Sequence, residues 1–220
     1  MKDPVRSGEL WWSGIWRLFE REVFGRSSGE GQFNPYRDRD PLLDLTGAPS
    51  RRRENLAAYL RSLPDVPEVV VVAEAPGPWG CRFSGVPITS EAQLIDPLFP
   101  VQGVRTSVRG EPYGEYSARI FWRVMLPFFE RFLVWNAVPF HPHRAGEPLM
   151  IRAPRVGELR DFAVVTQGVI AETGPKAVVA LGRRAERQLA FLGERCTYVR
   201  HPSQGGARAF EEGMRGVLGV

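Results

Sequence analysis

The run Val69-Val70-Val71-Val72-Ala73 is five consecutive small or β-branched apolar residues, closed behind by Pro67 and ahead by Glu74-Ala75-Pro76-Gly77. A strand with one wet face alternates polar and apolar residues, so an unbroken apolar run of this length reads as a strand buried on both faces, the mark of a parallel sheet covered by helices. Phe132 to Trp135, Ala177 to Leu181 and Tyr198 to Val199 repeat the pattern. Between and after them, Tyr116 to Phe129, Gly157 to Glu172, Arg183 to Leu192 and about Ala207 to Val217 space their apolar residues as helices do, each able to cross from one strand to the next.

Upstream, Leu10, Trp11, Ile15, Leu18, Phe19 and Val23 fall at helical intervals over residues 8 to 24. A loop from Gly25 to Asp40 follows, then a helical pattern from Arg51 to Leu63 that Pro64 ends. The expected organisation is an N-terminal helical arm over residues 1 to 50, packed on a catalytic domain of residues 51 to 220. Trp11, Trp12 and Trp16 read as packing residues. At 220 residues the chain suffices for one α/β domain.

Of the 29 basic residues only Lys2 and Lys176 are lysines, and the guanidinium fork suits phosphate oxygens, although GC-rich codons alone give the same bias. The two cysteines, Cys81 and Cys196, have no partner at metal-ligand spacing, so neither a zinc site nor a four-thiolate cluster is expected and no cofactor is needed. No signal peptide is read near Met1 and no apolar run approaches the ~20 residues of a membrane span. The expectation is a soluble, intracellular chain in a reducing compartment, with no metal and no membrane partner.

In an open parallel sheet, ligands bind beyond the carboxyl ends of the strands. The first run ends in Glu74-Ala75-Pro76-Gly77-Pro78-Trp79-Gly80, the second in Asn136 and the last in Arg200-His201-Pro202-Ser203. A Pro/Gly turn admits a ligand close to backbone, an asparagine offers donor and acceptor together, and a histidine offers a donor to developing negative charge. Such a set suits the polar edge of a nucleobase.

Ala73 to Ser90, with its strand-end Pro-Gly turn and Gly85-Val86-Pro87-Ile88, resembles the first motif of the uracil-DNA glycosylase superfamily. Trp135-Asn136-Ala137-Val138-Pro139-Phe140 resembles its base-reading asparagine segment, Pro175 to Arg183 its penultimate strand and turn, and His201-Pro202-Ser203 its second motif. The resemblance runs from about Arg51 to the C-terminus. It implies a three-layer α/β/α sandwich on a central four-stranded parallel sheet, and a monofunctional, cytoplasmic and nucleoid-associated DNA glycosylase. Such an enzyme flips a deaminated base, uracil above all, out of single-stranded or duplex DNA and hydrolyses its N-glycosidic bond in base excision repair, acting as a monomer. The superfamily's iron-sulfur branches use four cysteines, which this chain lacks.

By the same resemblance, His201 donates to O2 of the leaving base and Asn136 reads the O4 and N3-H edge. Glu74 is the motif's acid, either catalytic, orienting a water or offsetting positive charge on the sugar, or capping nearby backbone N-H groups. Ala75, Pro76, Gly77, Ile88 and Phe83 are expected to form the base pocket. Ala75 stands where several branches place an Asp or Asn that activates water. Gly77 stands where the strictest uracil enzymes have a tyrosine against the thymine methyl, so the pocket is expected to be open there and tolerant of 5-substituted uracils. Ile88 replaces a stacking phenylalanine, so a face is expected from Phe83, Trp79 or Phe140. Ser203, Gln204, Arg208, Arg200 and His143 are expected to meet DNA, with Gln204 or Arg208 as the wedge, and Arg82, Arg144 and Arg183 as further phosphate contacts. The alternative is a weakly active or non-catalytic DNA-binding relative; a small-molecule nucleosidase fits the sheet but not the loop after His201.

Overall fold

The computed structural model describes residues 10–220. Its strands are β1 (Gln32–Phe33), β2 (Val69–Ala73), β3 (Phe132–Asn136), β4 (His141–Arg144), β5 (Glu147–Ile151), β6 (Ala177–Leu181) and β7 (Thr197–Val199). Its α-helices are α1 (Ser13–Phe19), α2 (Ala48–Ser62), α3 (Cys81–Ser84), α4 (Glu91–Leu94), α5 (Tyr116–Met125), α6 (Val156–Asp161), α7 (Ala163–Thr173), α8 (Arg183–Phe191) and α9 (Ala207–Leu218).

β2, β3, β6 and β7 form one parallel sheet in the order β3-β2-β6-β7, flanked by helices as a three-layer α/β sandwich. The valine-rich β2 lies inside it, and Val69 to Val72 are buried on both faces. Each such side chain contributes about 1.5–3 kcal/mol, which favours this run for an interior position. α7 packs on β2, α8 on β6 and α9 on β7. β3 is an edge strand, and its outward Val134 N–H is satisfied by the buried Tyr59 hydroxyl of α2 at 2.8 Å, so the edge offers one donor fewer to a foreign strand.

Residues 8 and 9 of the expected N-terminal helix lie outside the described residues. Within them the helix starts at Ser13 and passes into a π-helical turn at Glu20–Phe24. It covers β3: the Phe19 ring stacks on Trp135 at 4.0 Å, and Ile15, Leu18 and Val23 join the same core. Trp11, Trp12 and Trp16 are partly buried against that core, with Trp11 Nε1 donating to the Leu63 carbonyl at 3.2 Å.

Two expected helices are interrupted. α5 ends at Met125 and a 3-10 segment runs over Leu126–Arg131 because Pro127 cannot continue the helix. The stretch from 156 to 173 breaks at Phe162, where φ −102 and ψ 4 leave helical space.

A second, antiparallel sheet, β1-β4-β5, has no counterpart in the sequence reading. Pro142 and Pro148 hide it, since proline weakens a strand pattern and is tolerated at edges. Its signal was Ala145-Gly146, a two-residue connection between Arg144 and Glu147 with Gly146 at φ +76, the left-handed conformation such hairpins need.

Candidate active site

Sheet register fixes the site. Ala73 pairs with Asn136, Val72 with Ala180 and Leu181 with Val199, so the carboxyl ends of all strands of the parallel sheet lie along one rim. Three inter-strand spacings, roughly 14 Å, separate β3 from β7. That span leaves room for one flat ring with a side chain reaching in from each side.

The rim opens into a cleft of about 580 Å³, lined among others by Glu74, Ala75, Gly77, Ile88, Asn136, His201, Ser203 and Gln204. This volume is in the range of small-molecule sites. Asn136 and His201 thus come from opposite edges of the sheet to one cavity.

Asn136 is buried, and its Nδ2 points to Cys81 Sγ at 3.5 Å. Burial pushes the Cys81 thiol far up, so it stays protonated and acts as a weak, neutral neighbour. No hydrogen bond to Oδ1 of Asn136 is made among the described residues. The next residue's carbonyl is clamped by Gln188 Nε2 of α8 at 2.8 Å, which fixes the loop that carries the amide.

His201 is half-buried, and desolvation brings its pKa down to about 4. The backbone N–H of Ser203 donates to Nδ1 at 3.3 Å, and the Ser203 hydroxyl lies 2.8 Å from the same nitrogen. With Nδ1 accepting, the proton of the neutral ring belongs on Nε2. The histidine is therefore a preorganised neutral donor.

Glu74 touches the cleft, but its Oε1 accepts the Arg184 N–H at 3.0 Å in the first turn of α8 and lies against Gly182. A carboxylate there satisfies an orphan donor and meets the positive end of the helix. Of the two roles expected for Glu74, capping is the one its contacts display.

The largest departure from expectation lies over Gly77. A Cβ built there would sit 1.8 Å from Oε1 of Glu115, and one on Gly80 would sit 1.8 Å from Oε2. The space is not open: a carboxylate fills it, and both glycines are needed for that close approach. Glu115 stands just before α5 and lines the cleft; its carbonyl accepts the Arg119 N–H at 3.1 Å, while its carboxylate makes no hydrogen bond among the described residues. Burial pushes its pKa up to about 7. Sequence reasoning missed it because nothing in Pro112-Tyr113-Gly114-Glu115 distinguishes a buried acid from a solvated one; the glycine pair was the trace it left.

Gly80→Ala is expected to cost about 1–3 kcal/mol by overpacking, read as a shift in denaturation midpoint, because the added Cβ would fall on the buried Glu115 carboxylate. An unchanged midpoint would mean that Glu115 swings away freely.

Ile88 lines the cleft with φ +48, rare for a β-branched residue, and its carbonyl accepts Trp122 Nε1 at 3.1 Å. Strain of this kind, of order 1–3 kcal/mol, collects at functional sites. Phe83 does not line the cleft. It is fully buried, stacked on Tyr113 at 4.2 Å, because α3 turns it inward. Phe140 is likewise buried, against Phe162. Pro76 sits behind the cleft lining, its carbonyl 2.8 Å from Nδ1 of His141, which pins the Pro-Gly turn. Burial lowers the His141 pKa to about 4.

Among the expected DNA contacts, Ser203 and Gln204 stand at the mouth, with Gln204 exposed and left-handed at φ +52. Exposed Arg200 donates to the Gln204 carbonyl at 3.2 Å, and Arg208 projects from α9, paired with Glu212. His143 lies outside the cleft lining, its ring stacked near His141. Arg144 is exposed, and Arg183 pairs with Glu186 and lies over Tyr198. Arg82 is no phosphate contact: it is fully buried, bonded to Asp44 and held between the rings of Phe33 and Phe83. The unforeseen β4-β5 hairpin leads into another wall of the cleft, Ile151 to Pro154. Among the described residues no His/Cys/Asp/Glu group could hold a metal ion, and no helix is long and apolar enough to cross a membrane.

No protein-family model matches the sequence, and no curated protein matches it. The structure is similar to the crystal structure of wild-type Pedobacter heparinus SMUG2, with a TM-score of 0.59 and 12% identity, covering 94% of this chain and 99% of that one. The architecture is the uracil-DNA glycosylase-like fold.

Proposed function

We propose that the chain is a DNA glycosylase that takes a deaminated base, uracil first, out of DNA and hydrolyses its N-glycosidic bond. The observation that carries this is the meeting of Asn136 and His201, from opposite edges of the sheet, in one cleft. As the glycosidic bond stretches, the base gains negative charge and the sugar becomes cationic, so a fixed donor at the base carbonyl lowers the barrier. A neutral Nε2–H from His201 supplies that donor. The Asn136 amide, with Oδ1 unengaged among the described residues, accepts an imide N–H and donates to the neighbouring carbonyl; cytosine presents the opposite order there, and a buried mismatch is costly.

Extruding a nucleotide costs a few kcal/mol, which contacts in the cleft offset. Gln204, exposed on the loop after β7, would fill the gap it leaves, and Arg200 and Arg208 would hold phosphates. In this reading the protein acts as a monomer in the cytoplasm, at the nucleoid, in base excision repair.

Incubation with uracil-containing single-stranded and duplex oligonucleotides, followed by hot alkali, is expected to give strand breaks at the uracil. Binding is expected to weaken as salt rises, because neutralised phosphates release counterions. Ala75 at a position that elsewhere carries a polar group, and Ile88 in place of a ring, favour a second reading: a DNA-binding relative that shifts the oligonucleotide and leaves it uncut.

A further inference from the structure

We propose that Glu115 is the general base of this reaction, holding and deprotonating the water that attacks C1′ of the extruded nucleotide. The assignment rests on the glycosylase reading above. Hydrolysis needs a group that accepts the proton of water on the sugar side, and Ala75 offers none. Two carboxylates line the cleft, Glu74 and Glu115. Glu74 is tied to the Arg184 N–H of α8. Glu115 has both carboxylate oxygens uncommitted among the described residues, laid over the backbone at Gly77 and Gly80 beside the cleft that the nucleotide must enter.

Among the described residues, the other charged and titratable groups around it leave its carboxylate without an ion-pair partner. Cys81 on α3 is held as a thiol, and His201 beyond β7 is held neutral. Arg152, after β5, is bound to Glu158 and to the Gly31 carbonyl. Glu74 is of like sign. On the helix that follows it, α5, Arg119 lies toward the Tyr116 ring. A desolvated carboxylate with no partner shifts toward neutrality, here to about 7, where a base is half free at physiological pH and still basic enough to take a proton.

In the step itself the water oxygen forms a bond to C1′ as its proton passes to Glu115. The C1′–N bond breaks with its electron pair on the base, whose carbonyl oxygen is met by His201 Nε2–H. Glu115 then returns the proton to the departing base through solvent, giving free base and an abasic sugar for one water consumed.

The test is single-turnover cleavage of a uracil-containing oligonucleotide between pH 5 and 9 by the wild type, Glu115→Gln and Glu115→Asp. The wild-type rate is expected to rise with pH to a plateau with its midpoint near 7. Glu115→Gln is expected to lose about 10²- to 10⁴-fold and the pH dependence with it, while Glu115→Asp keeps a pH-dependent, weaker activity. Binding to an oligonucleotide with an uncleavable 2′-fluoro-deoxyuridine is expected to stay as in the wild type. An active wild type whose Gln variant cuts comparably with the same pH profile overturns the role of Glu115 and leaves the glycosylase reading intact. A wild type that binds but cuts none of uracil, hypoxanthine or xanthine overturns the reading and the role together. If the Gln variant does not fold, the Asp variant decides: an unshifted midpoint and undiminished rate count against the proposal.

Discussion

His201→Ala is expected to lower N-glycosidic cleavage about 10²- to 10³-fold, the usual loss on removing one donor from a developing anion, while DNA binding stays near that of the wild type. The split follows from position: His201 lines the cleft, whereas phosphates would be met at its mouth by Arg200 and Arg208. Desolvation keeps the ring neutral down to about pH 4, so His201 does not titrate across the working range and any pH dependence there has another source. Its folded pKa lies below the ordinary 6.5, so the unfolded chain takes up the proton first. The native state therefore loses stability as pH falls from about 6.5 to about 4, and His141 acts in the same direction. Single-turnover rates and fluorescence-anisotropy binding measure the two effects. An alanine variant that cuts as fast as the wild type removes His201 from the chemistry.

The largest loss of stability is expected from Asp44→Ala, about 3–5 kcal/mol. Asp44 is the shared counter-ion of Arg52 and Arg82, and all three side chains are fully buried. Arg82 lies between two aromatic rings and Arg52 reaches the carbonyls of Pro35 and Phe83, so neither can leave for water without opening the core. Removing the carboxylate leaves two guanidinium groups facing one another in a desolvated site. Because Arg82 belongs to α3, which follows the Pro-Gly turn, this network also anchors the segment that leads from the cleft-lining Gly77 and Pro78. Urea denaturation at pH 7 measures the cost, with Asp44→Asn separating charge from hydrogen bonding. A midpoint close to the wild type's would mean that the arginines rearrange to solvent at little cost.

Glu115 carries a stability signature of the opposite kind. Its folded pKa, about 7, lies above the ordinary 4.5, so the native state holds a proton that the unfolded chain gives up. That contribution is complete below about pH 4.5 and is lost as pH rises through 7. At pH 8 Glu115→Gln is therefore expected to be more stable than the wild type, by at most about 3 kcal/mol. A carboxylate kept for structure gives the reverse. Stability given up at a cleft residue is what a functional group costs its fold.

The unbroken apolar run at Val69 to Ala73 and the shorter ones at β3, β6 and β7 determined a covered parallel sheet by themselves, since no other environment hides such residues on both faces. Their abrupt polar ends put Asn136, Glu74 and His201 at the rim before any coordinates. Chain order does not contain strand order, because runs so alike in composition can pair in several ways. Only packing set β2 between β3 and β6, and so brought Asn136 and His201 to one cleft from opposite edges of the sheet. The tertiary structure likewise turned Phe83 and Arg82 inward, made Glu74 a helix cap and built a wall from the proline-masked β4-β5 hairpin. It alone brought Glu115 into the cleft and desolvated it, a property that exists only once distant segments have closed around a side chain.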